Sequence, residues 1–439
     1  MTWCGVIFVL VIHLANARVL TTKIKNPILG KPITLAYLTI FVKSKYQKYI
    51  LHIIITMISI SKGGKLILAF FKNERGSPMP NKTTSLQLRQ LDDWHAHLRR
   101  GDILKAVLPY TALDFSRALV MPNTRPKAIR SADDVSDYYG EIKDAATQSG
   151  FHGFRPLMTV EITESTTPDM IESAKKAGAV AGKIYPANQT TNSEDGVTET
   201  GYKKLYPVFE VMAQVGMILS LHGEVPNFNL SGLKREEGFL YILWEIARKF
   251  PRLRIILEHI TTQIAIDCVE GLDENVAATI TAHHLLISID DVIGYSQKSG
   301  GKMQPHFFCK PVPKTEGDRK ALVRAVTRGN PKFFFGSDSA PHLQSQKECG
   351  DVCAGVFSAP VAIACLLEIF AEANSLFKLE NFTSVFGAEF YGLPLNSNVV
   401  EYVFAPNISV SVPKEILVSS RDIIVPFLAG QKLCWQKVS

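Results

Sequence analysis

Residues 92–99 read Asp-Asp-Trp-His-Ala-His-Leu-Arg. On a β-strand successive side chains alternate faces, so His95 and His97 project to one side, one pleat apart, with Arg99 continuing on that face. Two imidazoles converging from one strand make half of a divalent metal site. Two ordinary histidines on a half-buried strand are the bland alternative, and His-x-His alone leaves both open. The rest of the chain decides between them.

Short apolar runs alternate with helical stretches from residue 88 onward. The strands are expected at Asp93–His97, Ala118–Asn123, Pro156–Ile162, Ala181–Tyr185, Ile218–His222, Arg254–His259, Ala278–His284 and Phe333–Asp338. Helical patterns fall between them, as at Asp134–Ser149, Pro168–Ala177, Leu205–Val215 and Gly238–Lys249. Eight βα units over about 250 residues predict an α/β fold of the (β/α)8 TIM-barrel type. No GxGxxG follows the first strand, which weighs against a dinucleotide-binding sheet. The polar residues sort themselves: His95, His97, Asn123, Lys183, His222, His259, His284 and Asp338 all fall at C-terminal strand ends, where barrel enzymes build their sites.

Composition sets limits. The 439 residues carry a net charge of +7, but residues 1–73 contain ten Lys/Arg and no Asp or Glu. The remainder holds 38 basic and 41 acidic residues and offers no footprint for nucleic acid. Seven scattered cysteines argue against a disulfide framework. Cys349 and Cys353 lie four apart, with nothing suitably spaced to complete a zinc knuckle.

Residues 1–78 read as a separate basic extension and 79–439 as the catalytic body. The run 3–12 followed by Ala15-Asn-Ala17 fits a signal-peptide core without its positive n-region, and 50–60 is too short to span a bilayer. Organelle targeting, a disordered extension and a mis-assigned start, with Met79 as the true one, are the competing readings. The cytoplasm is the expected compartment of the body, with no membrane partner.

Histidines, a lysine and an aspartate at a barrel mouth suit a pair of divalent metals. Ligand type favours zinc and leaves manganese, cobalt and nickel open. A protonated amine cannot bind a cation, but burial and neighbouring cations favour the neutral form of Lys183, which can capture carbon dioxide as a metal-bridging carbamate.

The motifs His95-Ala-His97, Gly182-Lys183-Ile-Tyr-Pro-Ala-Asn188, His222-Gly-Glu224, Glu258-His259-Ile-Thr-Thr262 and Gly336-Ser-Asp338-Ser-Ala-Pro-His342 resemble the dihydroorotases of the amidohydrolase superfamily. The likeness is to their monofunctional bacterial, plant and fungal type, over roughly residues 85–436. Thr281-Ala-His-His-Leu285 looks fungal, and residues 295–308 look longer than the fungal pattern. The resemblance implies two Zn2+ per subunit, with His95, His97 and Asp338 on one, His222 and His259 on the other, and N6-carboxylated Lys183 as the bridge. It implies a metal-activated water attacking the ring carbonyl of dihydroorotate, with Asp338 as proton carrier. Arg99, Asn123 and His342 are expected to bind the substrate carboxylate, and backbone at Leu285 and Ala354 to read the pyrimidine edge. Loop 186–198 resembles a mobile lid whose Thr190 and Thr191 reach the small-molecule substrate. A homodimer is implied too. The rivals are a cyclic amidase acting on hydantoins or dihydropyrimidines, whose rings lack the carboxylate for Arg99, and a silent barrel, which would be expected to have lost ligands.

Overall fold

The computed structural model describes residues 84–190, 193–404 and 410–438, with strand backbone at Ala17–Lys25, Pro32–Ile40 and Met57–Ile58. The chain divides into two units, Met1–Ser77 and Pro78–Ser439. In the first, the three strands form an antiparallel sheet. The apolar run 3–12, most of 50–60, and Met79 lie outside the described residues. Among the described residues no helix is long and apolar enough to cross a membrane.

The second unit is built on eight parallel strands hydrogen-bonded in sequence order: β1 Leu91–Ala96, β2 Phe115–Val120, β3 Arg155–Ile162, β4 Ala179–Ile184, β5 Ile218–His222, β6 Ile255–Glu258, β7 Val276–Ile280 and β8 Phe333–Phe335. The sheet closes beyond the end of β8, where Ala96 bridges Ser339 in parallel register. There the Asp338 N–H donates to the His95 carbonyl at 2.8 Å and the His97 N–H to the Ser339 carbonyl at 3.0 Å. The barrel expected from the alternating pattern is what forms.

Crossover helices follow the strands in turn: α1 Gly101–Asp114, α2 Ala132–Gln148, α3 Pro168–Lys176, α4 Tyr206–Val215, α5 Arg235–Lys249, α6 Gln263–Gly271, α7 Glu316–Arg328 and α8 Ala362–Glu372. Their starts are written locally. Ser131 with Asp134 and Thr315 with Asp318 form capping boxes, and Thr167 and Thr262 cap α3 and α6.

Period-two alternation explains the barrel interior. Trp94, Leu119, Leu157, Ala181, Ile218, Ile256, Ala277 and Phe334, one from each strand, pack together as an apolar layer. Two residues further along β4 to β7 stand Lys183, Ser220, Glu258 and Thr279, so the same face turns polar toward the mouth. Below the layer, buried Asp92 takes the buried Arg117 guanidinium and the Asn396 amide.

Two local expectations change. β1 stops at Ala96, so Arg99 is placed by a left-handed turn (φ 60°) rather than by strand alternation. β7 stops at Ile280; the Thr281 hydroxyl accepts the His284 N–H and starts a short helix, Ala282–Leu286, where a strand was expected. The 295–308 loop is described, with a 3-10 turn at Pro305–Phe307 and a Gly294 (φ 91°) that leaves no room for a Cβ beside Lys302.

Candidate active site

His95 and His97 meet Asp338 at the closing seam. His95 Nε2 lies 3.4 Å and His97 Nε2 3.2 Å from Asp338 Oδ1, and all three residues are buried. The seam is tied by Asp93, which accepts the backbone N–H of His95 at 3.1 Å and of Ser337 at 2.8 Å, and the Ser337 hydroxyl at 2.6 Å. Burial pushes the Asp93 carboxyl up to about 7 against those hydrogen bonds. Gly336 is required here, since a Cβ would stand 2.9 Å from His95 Cβ and 3.1 Å from Thr279 Cβ.

Two of the imidazoles are oriented from behind by carboxylates. His95 Nδ1 contacts Glu258 Oε2 at 2.8 Å, which leaves Nε2 facing the mouth with no hydrogen-bond partner. His222 Nε2 contacts Glu224 Oε2 at 2.8 Å, which frees its Nδ1. Burial alone would raise the Glu258 carboxyl, but His95, Lys183 and the Ser220 hydroxyl hold it down to about 2. His259 stands 4.7 Å from His222 and 5.0 Å from His95, ring centre to ring centre. Its loop is fixed by buried Glu236 of α5, which takes the Thr261 N–H and the hydroxyls of Thr261 and Thr262. Burial, then neighbouring cationic groups, push His97 and His259 well below the usual histidine range, so both are neutral and able to ligate.

Lys183 is fully buried, and its Nζ has no hydrogen-bond partner. Burial lowers its ammonium to about 8, against the pull of Glu258 and Asp338. His95 Nε2, His259 Nδ1 and Lys183 Nζ are thus three unsatisfied nitrogens beside a buried carboxylate. That donor set fits metal, because such atoms are otherwise costly to bury.

A cavity opens over these groups. The expected substrate residues Arg99, Asn123, Thr190 and Ala354 line it together with His95, His97, His222, His259 and Asp338. Arg99 is held by the Pro341 carbonyl at 3.1 Å and by His342 Nε2 at 3.2 Å, and that same nitrogen is 3.1 Å from the Ala354 carbonyl. Asn123 hydrogen-bonds His97. Thr190 brings the lid loop to the wall; Thr191 lies outside the described residues.

Leu285 is not brought to the cavity. It is buried in the short helix after β7, where its carbonyl accepts Arg319 at 2.8 Å. Lys310 stands in the wall instead, joined by Tyr185 and Gly355. Lys310 comes from irregular chain with no period to announce it. Glu224 and Glu258 are legible as acids next to ligand-type histidines, but adjacency in the chain does not say which ring each one orients.

No family model matches the chain. It is 43% identical over 350 residues to a dihydroorotase of Coxiella burnetii, covering 79% of this chain and 95% of that protein. A mitochondrial dihydroorotase of Oryza sativa is 43% identical over 362 residues, covering 82% of this chain and 86% of that one. The solved dihydroorotase of Saccharomyces cerevisiae, in complex with 5-fluoroorotic acid, superposes with a TM-score of 0.73 at 36% identity, over 81% of this chain and 98% of its own. The chain belongs to the dihydroorotase family. It is a metal-dependent hydrolase of a cyclic amide on an amidohydrolase barrel, as the motifs implied, and the rival readings fall away.

Proposed function

We propose that this dihydroorotase of pyrimidine biosynthesis interconverts (S)-dihydroorotate and N-carbamoyl-L-aspartate at a two-zinc centre bridged by carboxylated Lys183. The observation that carries the reading is the convergence of His95 Nε2 and His97 Nε2 on Asp338 Oδ1, at 3.4 and 3.2 Å, beside the unpartnered Lys183 amine. Those three residues would hold one zinc, and His222 with His259 the other. The neutral Lys183 amine would add to carbon dioxide, forming the N–C bond as one C–O π bond opens and losing one proton, and the carbamate would offer oxygen ligands to the metals. When bound, the cations polarise the ring carbonyl and make water a competent nucleophile at neutral pH.

The residues do the rest. Arg99, steered by Pro341 and His342, pairs with the substrate carboxylate, with Asn123 beside it. Backbone at Ala354 reads the ring edge, with Lys310 supplying the wall expected from Leu285. Asp338 takes the proton of the attacking water at its carboxylate and delivers it to the leaving ring nitrogen, a task suited to a carboxyl raised by burial. Thr190 on the lid excludes water and holds the open-chain form for ring closure.

Residues 1–78 are read as an extension of the body at 79–439. Support comes from the Coxiella relative, 95% of whose length is matched by 79% of this chain. The cytoplasm is the proposed compartment, and the mitochondrial Oryza relative favours targeting by the extension as the alternative. A homodimer, proposed from the resemblance, is checked by light scattering.

Ring opening of dihydroorotate, followed by ultraviolet absorbance in zinc-supplemented buffer, tests the reading on the full chain and on Met79–Ser439. Both turn over, and His95→Ala loses activity together with bound metal. Undiminished turnover in His95→Ala sinks the metal assignment.

A further inference from the structure

A second cluster of ligand-type side chains stands next to the cavity wall and serves no step above. His283 and His284 belong to the short helix after β7, and Cys309 immediately precedes Lys310. All three are buried, and one ligand atom from each lies within 4.8 Å of the others. His284 Nε2 is 3.6 Å from Cys309 Sγ and 3.0 Å from the Pro311 carbonyl oxygen, which is itself 3.6 Å from Cys309 Sγ. Neither ring nitrogen of the fully buried His283 has a hydrogen-bond partner. A neutral imidazole carries one N–H and one lone pair, and both go begging here, with Phe427 on one flank and His284 on another.

The spacing fits an ion. A tetrahedral zinc about 2.3 Å from a thiolate and about 2.1 Å from an imidazole or an oxygen sets those donors about 3.6 Å apart. Cys309 Sγ shows that separation, 3.6 Å, from both His284 Nε2 and the Pro311 oxygen. His284 Nε2 and that oxygen, hydrogen-bonded at 3.0 Å, would part to about 3.4 Å on a shared ion.

We propose that His283, His284 and Cys309, closed by the Pro311 carbonyl, form a structural zinc site distinct from the metal centre at the barrel mouth. Loading releases the thiol proton to solvent. His284 transfers its N–H from Nε2 to Nδ1, where Thr281 Oγ1 at 3.0 Å accepts it, and His283 ligates through one nitrogen while keeping the proton on the other. No oxidant or reductant is needed. The ion ties the helix Ala282–Leu286 to residues 309–311 and so braces the wall that carries Lys310.

Cobalt(II) is the probe, because every ligand proposed at the mouth is nitrogen or oxygen and only a thiolate gives sulfur-to-cobalt charge transfer in the near ultraviolet. The full-length protein is stripped, reloaded with cobalt and its metal counted. The wild type is expected to show the charge-transfer band besides the visible bands of the mouth site. Cys309→Ser is expected to lose the band and one metal per chain. The double variant Cys349→Ser/Cys353→Ser, which removes an exposed and a half-buried thiol, is expected to keep both. Should Cys309→Ser fail to fold, His283→Gln is read instead, with the same loss of one metal. A cobalt-loaded wild type without the band, or a band that survives Cys309→Ser, overturns the proposal. The visible bands and ring opening report the mouth separately, so the two assignments fail independently.

Discussion

Glu258 touches no substrate, yet its replacement should unsettle the mouth. Its carboxylate accepts His95 Nδ1 at 2.8 Å and the Thr279 hydroxyl at 2.6 Å on one oxygen, and the Ser220 hydroxyl on the other. Glutamine keeps the shape but replaces one oxygen with an NH2 group. If that group faces Ser220, the charge and the acceptor of the Ser220 hydroxyl are lost; if it faces His95, the Thr279 hydroxyl loses its acceptor and the imidazole must move its proton to Nε2, the nitrogen meant for metal. A hydrogen bond to a charged group contributes about 1.5–3 kcal/mol, and its loss is felt in full when the group is buried. At about 1.4 kcal/mol per tenfold, Glu258→Gln should bind metal at the mouth roughly 10–100-fold more weakly. The assay is zinc titration of dihydroorotate ring opening against a competing chelator. The midpoint should move while turnover at saturating zinc largely recovers. A folded Glu258→Gln protein with the wild-type midpoint would refute the idea that Glu258 orients His95.

Arg99→Met should raise KM for dihydroorotate roughly 10–100-fold, the worth of a charge-assisted pair, with metal content unchanged; an unaltered KM counts against Arg99 as the carboxylate anchor. Gly336→Ala forces a Cβ to within 2.9 Å of His95 Cβ, and thermal unfolding should show a loss of about 1–3 kcal/mol together with weakened metal retention. In the stripped protein the Lys183 ammonium is depressed to about 8, so its reactive neutral form grows as pH rises through that value. At pH 7 the neutral fraction is about a tenth, against under a thousandth for an ordinary lysine. Reactivation by zinc at fixed dissolved carbon dioxide should therefore be faster at pH 8 than at pH 6.5, and a flat or inverted profile speaks against carboxylation.

The strand rhythm and the ligand-type residues were legible because both follow from period two. A residue at a C-terminal strand end is delivered to the mouth wherever its neighbours go, which is why His97, Lys183, His222 and Asp338 could be read off the chain. What escaped depends on local chemistry that overrides the period. The Thr281 hydroxyl ends the seventh strand early by capping a helix turn, and this carries Leu285 away from the cavity. Lys310 enters the wall from irregular chain. Arg99 reached its expected neighbourhood by a different route, a left-handed turn that no alternation pattern encodes.

That turn belongs to a wider arrangement. Arg99, His259 and Asp338 all adopt positive φ, at 60°, 42° and 43°, a region that costs a non-glycine residue of order 1 kcal/mol or more. Each is held by an identifiable neighbour. The Arg99 carbonyl accepts the Tyr138 hydroxyl at 2.7 Å, the His259 N–H reaches Thr279 Oγ1 at 2.7 Å, and the Asp338 N–H reaches the His95 carbonyl at 2.8 Å. Two of these supports are also partners of Glu258, which orients His95. The strain is therefore stored where strands end and ligands begin, and the Thr279 hydroxyl that supports His259 also bonds Glu258, which fixes which nitrogen of His95 faces inward. His95 comes from the first strand and Asp338 from the segment just beyond the last, so the atoms that would grip one metal also sit on the joint that closes the barrel. Metal affinity and barrel closure draw on the same contacts, and this explains why buried Asp93, which touches neither metal nor substrate, binds backbone on both sides of that joint.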